Sequence, residues 1–259
     1  MKEIKKIVIK VGTSTLTHDS GKLNIRRVEL LARVLSDLLN QGLQVILVSS
    51  GAIGVGVGKM GLSERPSQTR QKQAMAAVGQ GQLLSIYDKF FSEYSQTCAQ
   101  VLLNRDVFDD DARRKNAANA FSTMFEYGII PIVNENDVIS TDEIEFGDND
   151  TLSAYVAKLV GAELLVILSD IDGLFDKNPK NNPDAKVIPI VDEITDEIIA
   201  AGSDAIGKFS TGGMITKIRA AQIATASGID MIIANGANIE ALYDIMDGKS
   251  VGTLFKKQV

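Results

Sequence analysis

Cysteine is almost absent from the 259-residue chain: Cys98 stands alone, so no intrachain disulfide can form and the fold cannot rest on covalent staples. It lies in the apolar-rich segment TCAQVLL, where a single thiol is expected to pack as a small hydrophobe. Histidine is equally scarce. His18 is the sole imidazole, which excludes a multi-histidine metal site, and within the polar stretch THDSGK it reads as a surface residue. Long apolar runs are missing too. None approaches the ~20 residues a membrane-spanning helix needs, and the short, lysine-flanked N-terminal strand lacks a signal-peptide core, so a cytoplasmic protein with no membrane partner is expected. Dense basic blocks are absent beyond KEIKK and the C-terminal KK, and a net charge of -6 disfavours a nucleic-acid surface. No linker, repeat or low-complexity tract interrupts the chain. A single domain over residues 1–259 is expected, and any division into lobes, near residue 165, would be internal to one continuous sheet.

What is present is ordinary globular composition, 45% hydrophobic and 23% charged. Short apolar runs alternate with stretches of helical period. IKKIVIKV, LQVILVS, AQVLLN, GIIPIVN, AELLVILSD and GIDMIIAN read as strands bounded by Gly, Asn or Ser. Between the first two, NIRRVELLARVLSDLLNQG places Ile25, Val28, Leu31, Leu35, Leu38 and Leu39 on one helical face, with Gly42 as the stop. Alternation of this kind predicts an α/β protein: a three-layer αβα sandwich around a mostly parallel sheet. Residues 140–150 and 172–189 break the rhythm and read as hairpins or long loops, the usual carriers of function.

In an open parallel sheet, ligands collect beyond the carboxyl ends of the strands. The exits here are small and polar: Lys10-Val-Gly12-Thr-Ser14, Ser49-Ser50-Gly51-Ala52, Asn134-Glu-Asn-Asp137 and Ser169-Asp170. GVGVGKMG is not a Walker loop, because Ile53 and Met60 stand where that motif needs Gly and Ser or Thr. The turn from Ser49 to Ala52 is better suited to holding an anion such as a carboxylate on backbone N–H groups at a helix start. A sharper cluster is Thr211-Gly212-Gly213-Met214-Ile215-Thr216-Lys217. With Thr211 as cap and Gly212 and Gly213 opening the first turn, a phosphate can approach the helix N-terminus closely. Lys217, leaning back along the helix, can reach the same phosphate. Lys10 sits where the buried first strand ends, and a charge there needs an anion: either a structural partner such as Asp148, Asp150 or Asp170, or a phosphoryl group shared with Lys217. Asp137 suits neutralisation of a ligand's ammonium, and Asn149 offers amide hydrogen bonds.

Taken together, Lys10-Val-Gly-Thr-Ser, Val48-Ser-Ser-Gly-Ala52, Val133-Asn-Glu-Asn-Asp137, Phe146-Gly-Asp-Asn-Asp150, Ser169-Asp-Ile-Asp-Gly173 and Thr211-Gly-Gly-Met-Ile-Thr-Lys217 resemble the amino acid kinase family. The likeness runs from the first strand to VGTLF at 251–255 and is nearest to members that phosphorylate the side-chain carboxylate of free L-glutamate, the first step of proline biosynthesis. Many of those carry a further C-terminal PUA module, and the present sequence stops soon after VGTLF. The resemblance implies that Lys10 and Lys217 stabilise the transferring phosphoryl group and that Asp150 holds them in place. Ser50, Gly51, Ala52, Asp137 and Asn149 would bind glutamate. Lys10, Ser169, Asp170 and the segment Thr211, Gly212, Gly213, Met214, Ile215, Thr216 and Lys217 would bind ATP, with Mg²⁺ bridging the phosphates. Residues 1–165 would form the glutamate lobe and 166–259 the ATP lobe, in a homo-oligomer open to feedback by proline.

The chemistry agrees with the residues. A glutamate side chain, with a reference pKa of ~4.3, is already ionised at neutral pH, so no general base has to remove a proton. The scarcity of histidine then has no cost. Repulsion between an anionic acceptor and an anionic γ-phosphate is the barrier, and two lysines, a helix N-terminus and Mg²⁺ answer it. Two alternatives remain at this point. One is a sibling carboxylate kinase whose acceptor is N-acetylated, against which Asp137 speaks because it would face no ammonium. The other is a nucleotide-binding protein of the same fold without turnover.

Overall fold

A computed structural model describes residues 4–18, 22–139, 149–179, 181–199 and 213–258. Two compact units make up the chain, one continuous, Val11–Glu145, and one discontinuous, Met1–Lys10 with Phe146–Val259. Compactness thus divides the chain some twenty residues before the boundary expected near 165, and it assigns the N-terminal strand to the unit built mainly from the C-terminal half.

The continuous unit carries strands β2 (Gln44–Ser49), β3 (Thr97–Leu103) and β4 (Ile129–Glu135), hydrogen-bonded in the order β3-β4-β2 and all parallel. Val45 to Val48 are sealed from solvent, as a run of four apolar residues in a strand covered on both faces requires. β3 is different: Thr97 and Gln100 are exposed, and Cys98 is only half-buried. The thiol therefore lies on a partly open strand and not in the sealed core that its neighbours suggested. Desolvation, helped by the nearby charge of Asp88, pushes its pKa up to about 11. His18 is exposed, as expected.

Helix α1 (Thr13–Leu16) is a single turn. Helix α2 (Ile25–Asn40) begins at Asn24, whose side chain accepts from the backbone N–H of Arg27 at 3.2 Å. Val28, Leu31, Leu35 and Leu38 are buried as the periodicity predicts, and Gly42 follows at φ +93°. The two ends of the stripe depart from it: Ile25, the first residue of the helix, is 63% exposed, and Leu39, next to its last, is half-buried. Helices α3 (Ala52–Met60) and α4 (Thr69–Glu93) cross where glycine faces glycine: a Cβ on Gly79 would lie 1.7 Å from the Ala52 carbonyl oxygen, and one on Gly56 would lie 2.0 Å from that of Met75. The single turn α5 (Asp106–Asp109) and the 16-residue α6 (Asp111–Glu126) lead into β4, with Asp110 capping α6 through Arg113 N–H at 2.8 Å.

The discontinuous unit holds β1 (Lys6–Val11) up to Lys10, then β5 (Leu164–Ser169), β6 (Ile190–Val191), β7 (Asp230–Asn235) and β8 (Thr253–Phe255), ordered β1-β5-β7-β8-β6. β5 and β7 are parallel, whereas β8 turns antiparallel to β7. All six residues of β5 are buried, as are Ile7, Val8 and Ile9 of β1. Among its described residues the unit also carries helices α7 (Asn149–Val160), α8 (Met214–Ala226) and α9 (Ala241–Met246). Residues 172–189 do form a hairpin, pinned by the antiparallel bridge of Phe175 with Val187. The other stretch expected to be loop, 140–150, ends inside α7 at Asn149 and Asp150, and its remainder lies outside the described residues.

Candidate active site

The site is built from one carboxylate outward. Asp150 is the second residue of α7 and is 1% exposed. Its Oδ1 lies 2.7 Å from the Nζ of Lys10 and its Oδ2 lies 3.1 Å from the Nζ of Lys217. Lys10 and Lys217 are 8% and 5% exposed, so three charges from three separate elements share one buried locus. Thr216 adds a third contact: its hydroxyl is 2.9 Å from Asp150 Oδ2 and 2.8 Å from the Gly213 carbonyl oxygen, and donates to one of these at a time. Burial pushes the Asp150 pKa up, but the ammonium groups of Lys10 and Lys217 with the hydrogen bonds outweigh it, and the net direction is down from the ordinary 3.8. The carboxylate is held ionised between two cations.

Local sequence explains why these groups meet. β1 buries both faces, so its terminal lysine has solvent only past the strand end, and the acidic residue in the first turn of α7 sits at the positive end of a helix. α8 begins at Met214 with Gly213 as its extended N-cap (φ -68°, ψ -172°), two residues later than the expected start. Gly213 therefore precedes the first turn instead of forming part of it. Thr211 and Gly212 lie outside the described residues. Met214 is buried and Ile215 half-buried, so any ligand they meet would be met through backbone N–H groups. α8 has no side-chain cap and no acidic residue in its first turn, which leaves its positive end ready for an anion. At the end of β5, Ser169 is buried and its hydroxyl contacts Asp170 at 3.2 Å, while Asp170 is exposed. Asn149 is half-buried at the head of α7.

In the continuous unit, Ser50, Gly51 and Ala52 follow β2 directly. Gly51 takes φ +107°, the left-handed backbone that the strand-to-helix turn requires and that a side chain would strain, and it serves as N-cap of α3. β2 and β4 run parallel in the register Val48 to Val133, so Asp137, two residues past the end of β4, lies at the same edge of this unit as the turn. Asp137 is half-buried and receives the Nδ2–H of Asn134 at 3.4 Å.

Residue reading alone missed several contributors. Asn134 is 3% exposed and bonds Gln80 of α4 at 3.1 Å. Tyr87 is fully buried with its hydroxyl 2.8 Å from that of Ser49, the residue before the turn. Asn235, the β7 partner of Ser169, donates to Asp172 at 2.6 Å. The signal for Gln80 and Tyr87 was available: positions 76, 80, 83, 87 and 91 recur at helical spacing, and a glutamine on an otherwise buried stripe needs a polar partner.

Residues 5–235 match the amino acid kinase family, and the chain belongs to it. Among its relatives, glutamate 5-kinase of Clostridium perfringens is 56% identical over 98% of this chain and 96% of its own length. Glutamate 5-kinase of Caldanaerobacter subterraneus is 52% identical over 96% of this chain and 67% of its own length. Among solved structures, carbamate kinase of Giardia lamblia, bound to AMP-PNP, covers the whole chain at 21% identity with a TM-score of 0.68. Isopentenyl phosphate kinase of T. acidophilum covers 97% of it at 19% identity with a TM-score of 0.66. These two likenesses establish the expected αβα fold around a mostly parallel sheet. No described helix is long and apolar enough to cross a membrane.

Proposed function

We infer that this protein is a glutamate 5-kinase, an ATP-dependent phosphotransferase that converts the side-chain carboxylate of L-glutamate to γ-glutamyl phosphate in the first step of proline biosynthesis. The observation that carries the reading is the buried trio of Lys10, Asp150 and Lys217, in a chain more than half identical to relatives bearing that name. A carboxylate oxygen of glutamate would attack the γ-phosphorus as the bond to the bridging oxygen breaks and ADP departs. Because the attacking group is already an anion, the protein has to supply position and positive charge in place of a base.

Lys10 and Lys217 are read as the two cations facing the transferring group, with Asp150 and Thr216 fixing where their nitrogens lie. The N-terminus of α8, Gly213, Met214 and Ile215 included, fits the phosphates of ATP, and Ser169 and Asp170 at the end of β5 are read as further contacts to the nucleotide. Mg²⁺ would enter with the triphosphate, which keeps most of its ligands as phosphate and water, and would neutralise charge there. On the acceptor side, Ser50, Gly51 and Ala52 suit a carboxylate of glutamate, Asp137 its ammonium and Asn149 a further hydrogen bond. In this reading residues 1–165 serve glutamate and residues 166–259 serve ATP. It also includes a cytoplasmic location, a homo-oligomer and inhibition by proline. The preference for unmodified glutamate over its N-acetyl form rests on Asp137, which would lose its counter-charge against an amide.

Trapping of the acyl phosphate with hydroxylamine tests the proposal. Hydroxamate should appear with ATP, Mg²⁺ and L-glutamate and not with N-acetylglutamate. Preference for the acetylated acceptor, or ATP binding with no acceptor-dependent turnover, would refute it.

A further inference from the structure

We propose that Gln80, on α4, is a positioning residue for the acceptor site: acting through Asn134, it orients the carboxylate of Asp137. The inference rests on the glutamate reading given above.

Gln80 is 8% exposed and Asn134 is 3% exposed, so neither amide is placed for solvent. The Nδ2 group of Asn134 has two hydrogens, and the structure directs them to two acceptors: Gln80 Oε1 at 3.1 Å and Asp137 Oδ2 at 3.4 Å. Asn134 lies within the β4 strand, so its backbone is fixed, and its remaining freedom is rotation of the amide plane. The acceptor on Gln80 removes that freedom. With one hydrogen committed to α4, the other points along the strand exit toward Asp137, which sits on the turn beyond β4.

The helix that carries Gln80 is itself fixed against the acceptor turn. A Cβ on Gly79 would overlap the carbonyl oxygen of Ala52, so α4 touches the first residue of α3 backbone to backbone. Two helical turns further on, the hydroxyl of Tyr87 meets that of Ser49 at 2.8 Å. Residues 79, 80 and 87 of one helix therefore reach the two strand exits that flank the acceptor site, those of β2 and β4. Displacement of α4 would move both halves of the glutamate subsite together. A glutamine is suited to the middle position because its carbonyl oxygen accepts without adding a second negative charge next to Asp137.

The test is steady-state kinetics on the full chain with three replacements. Gln80→Met keeps length and removes the acceptor; Gln80→Asn keeps the amide but withdraws it by one methylene; Gln80→Glu keeps an acceptor oxygen at full reach. Loss of the single orienting bond should raise the glutamate KM about tenfold in Gln80→Met and Gln80→Asn, with kcat and the ATP KM within about twofold. Gln80→Glu, whose burial beside Asp137 favours the neutral acid, should recover most of that loss. A residue that merely packs would lower the melting temperature and leave the glutamate KM alone, and that result would overturn the proposal. Should Gln80→Met fail to fold, Gln80→Asn decides in the same way. Equal rises in both KM values, or no recovery in Gln80→Glu, would also count against it. A wild-type protein that forms no glutamate-dependent hydroxamate would overturn the functional reading and this proposal together, whereas an active wild type with unaltered variants would overturn this proposal alone.

Discussion

The ammonium of Lys10 lies 2.7 Å from Oδ1 of Asp150, a contact between the last residue of the first segment of the discontinuous unit and the first turn of α7. With Lys217 on the other oxygen, two buried cations depend on one carboxylate. Replacing Asp150 by Asn should cost about 3–5 kcal/mol, since it strands charges that solvent cannot reach. Saturating Mg-ATP should restore part of the loss, because the triphosphate brings a new anion. Thermal melts with and without nucleotide check both statements. The sign with pH follows from the depressed folded pKa of Asp150: the stabilisation is present above its ordinary value of 3.8 and is lost as pH falls through the lower folded value. The gap between wild type and Asp150→Asn should therefore narrow in acid.

Lys217→Ala should lower turnover by about a hundredfold or more, on the order of 3 kcal/mol, as for loss of one transition-state donor. Thr216→Val removes the hydroxyl that holds Asp150 without removing either cation, and should fall between that variant and wild type. Hydroxamate formation under saturating substrates measures both. An unchanged rate in Lys217→Ala would take that residue out of the mechanism.

Asp137→Ala should act mainly on glutamate. Its KM is expected to rise by tenfold or more, with the ATP KM near that of wild type, since loss of a carboxylate facing an ammonium weakens ground-state binding. An effect confined to ATP would show that the two lobes had been assigned to the wrong substrates.

Gly79→Ala should destabilise the protein by about 1–3 kcal/mol or more, because the added methyl meets the Ala52 carbonyl and the Gly56 nitrogen, which are backbone atoms that cannot rotate away. Gly81, two residues on, has open space around it. Gly81→Ala should be neutral or slightly stabilising by helix propensity. Urea unfolding of the pair separates packing from propensity.

The sequence made legible those features that follow from local periodicity and strand burial. β1, β2, β5 and β7 could be read because three or more consecutive apolar residues leave few other options, and Lys10 and Lys217 because a charge in an apolar element needs an explanation. Less legible were features set by tertiary approach. Asn149 and Asp150 look like loop because Asp and Asn dominate their surroundings, yet they open a helix whose later residues are apolar. The division of the chain escaped detection because β1 is paired within a unit made mostly of residues more than a hundred positions away. Gln80 and Tyr87 were hidden for another reason: their role lies in what they touch on β2 and β4, and one helix's spacing does not report its neighbours' polar atoms.

One further consequence follows from the discontinuous unit. During synthesis, residues 11–145 emerge as an uninterrupted stretch able to close its own core, whereas the strand ahead of them waits for Asp150 and then Lys217 to leave the ribosome. Lys10, made early, is thus among the last residues to find its counter-ion, which follows it by 140 positions.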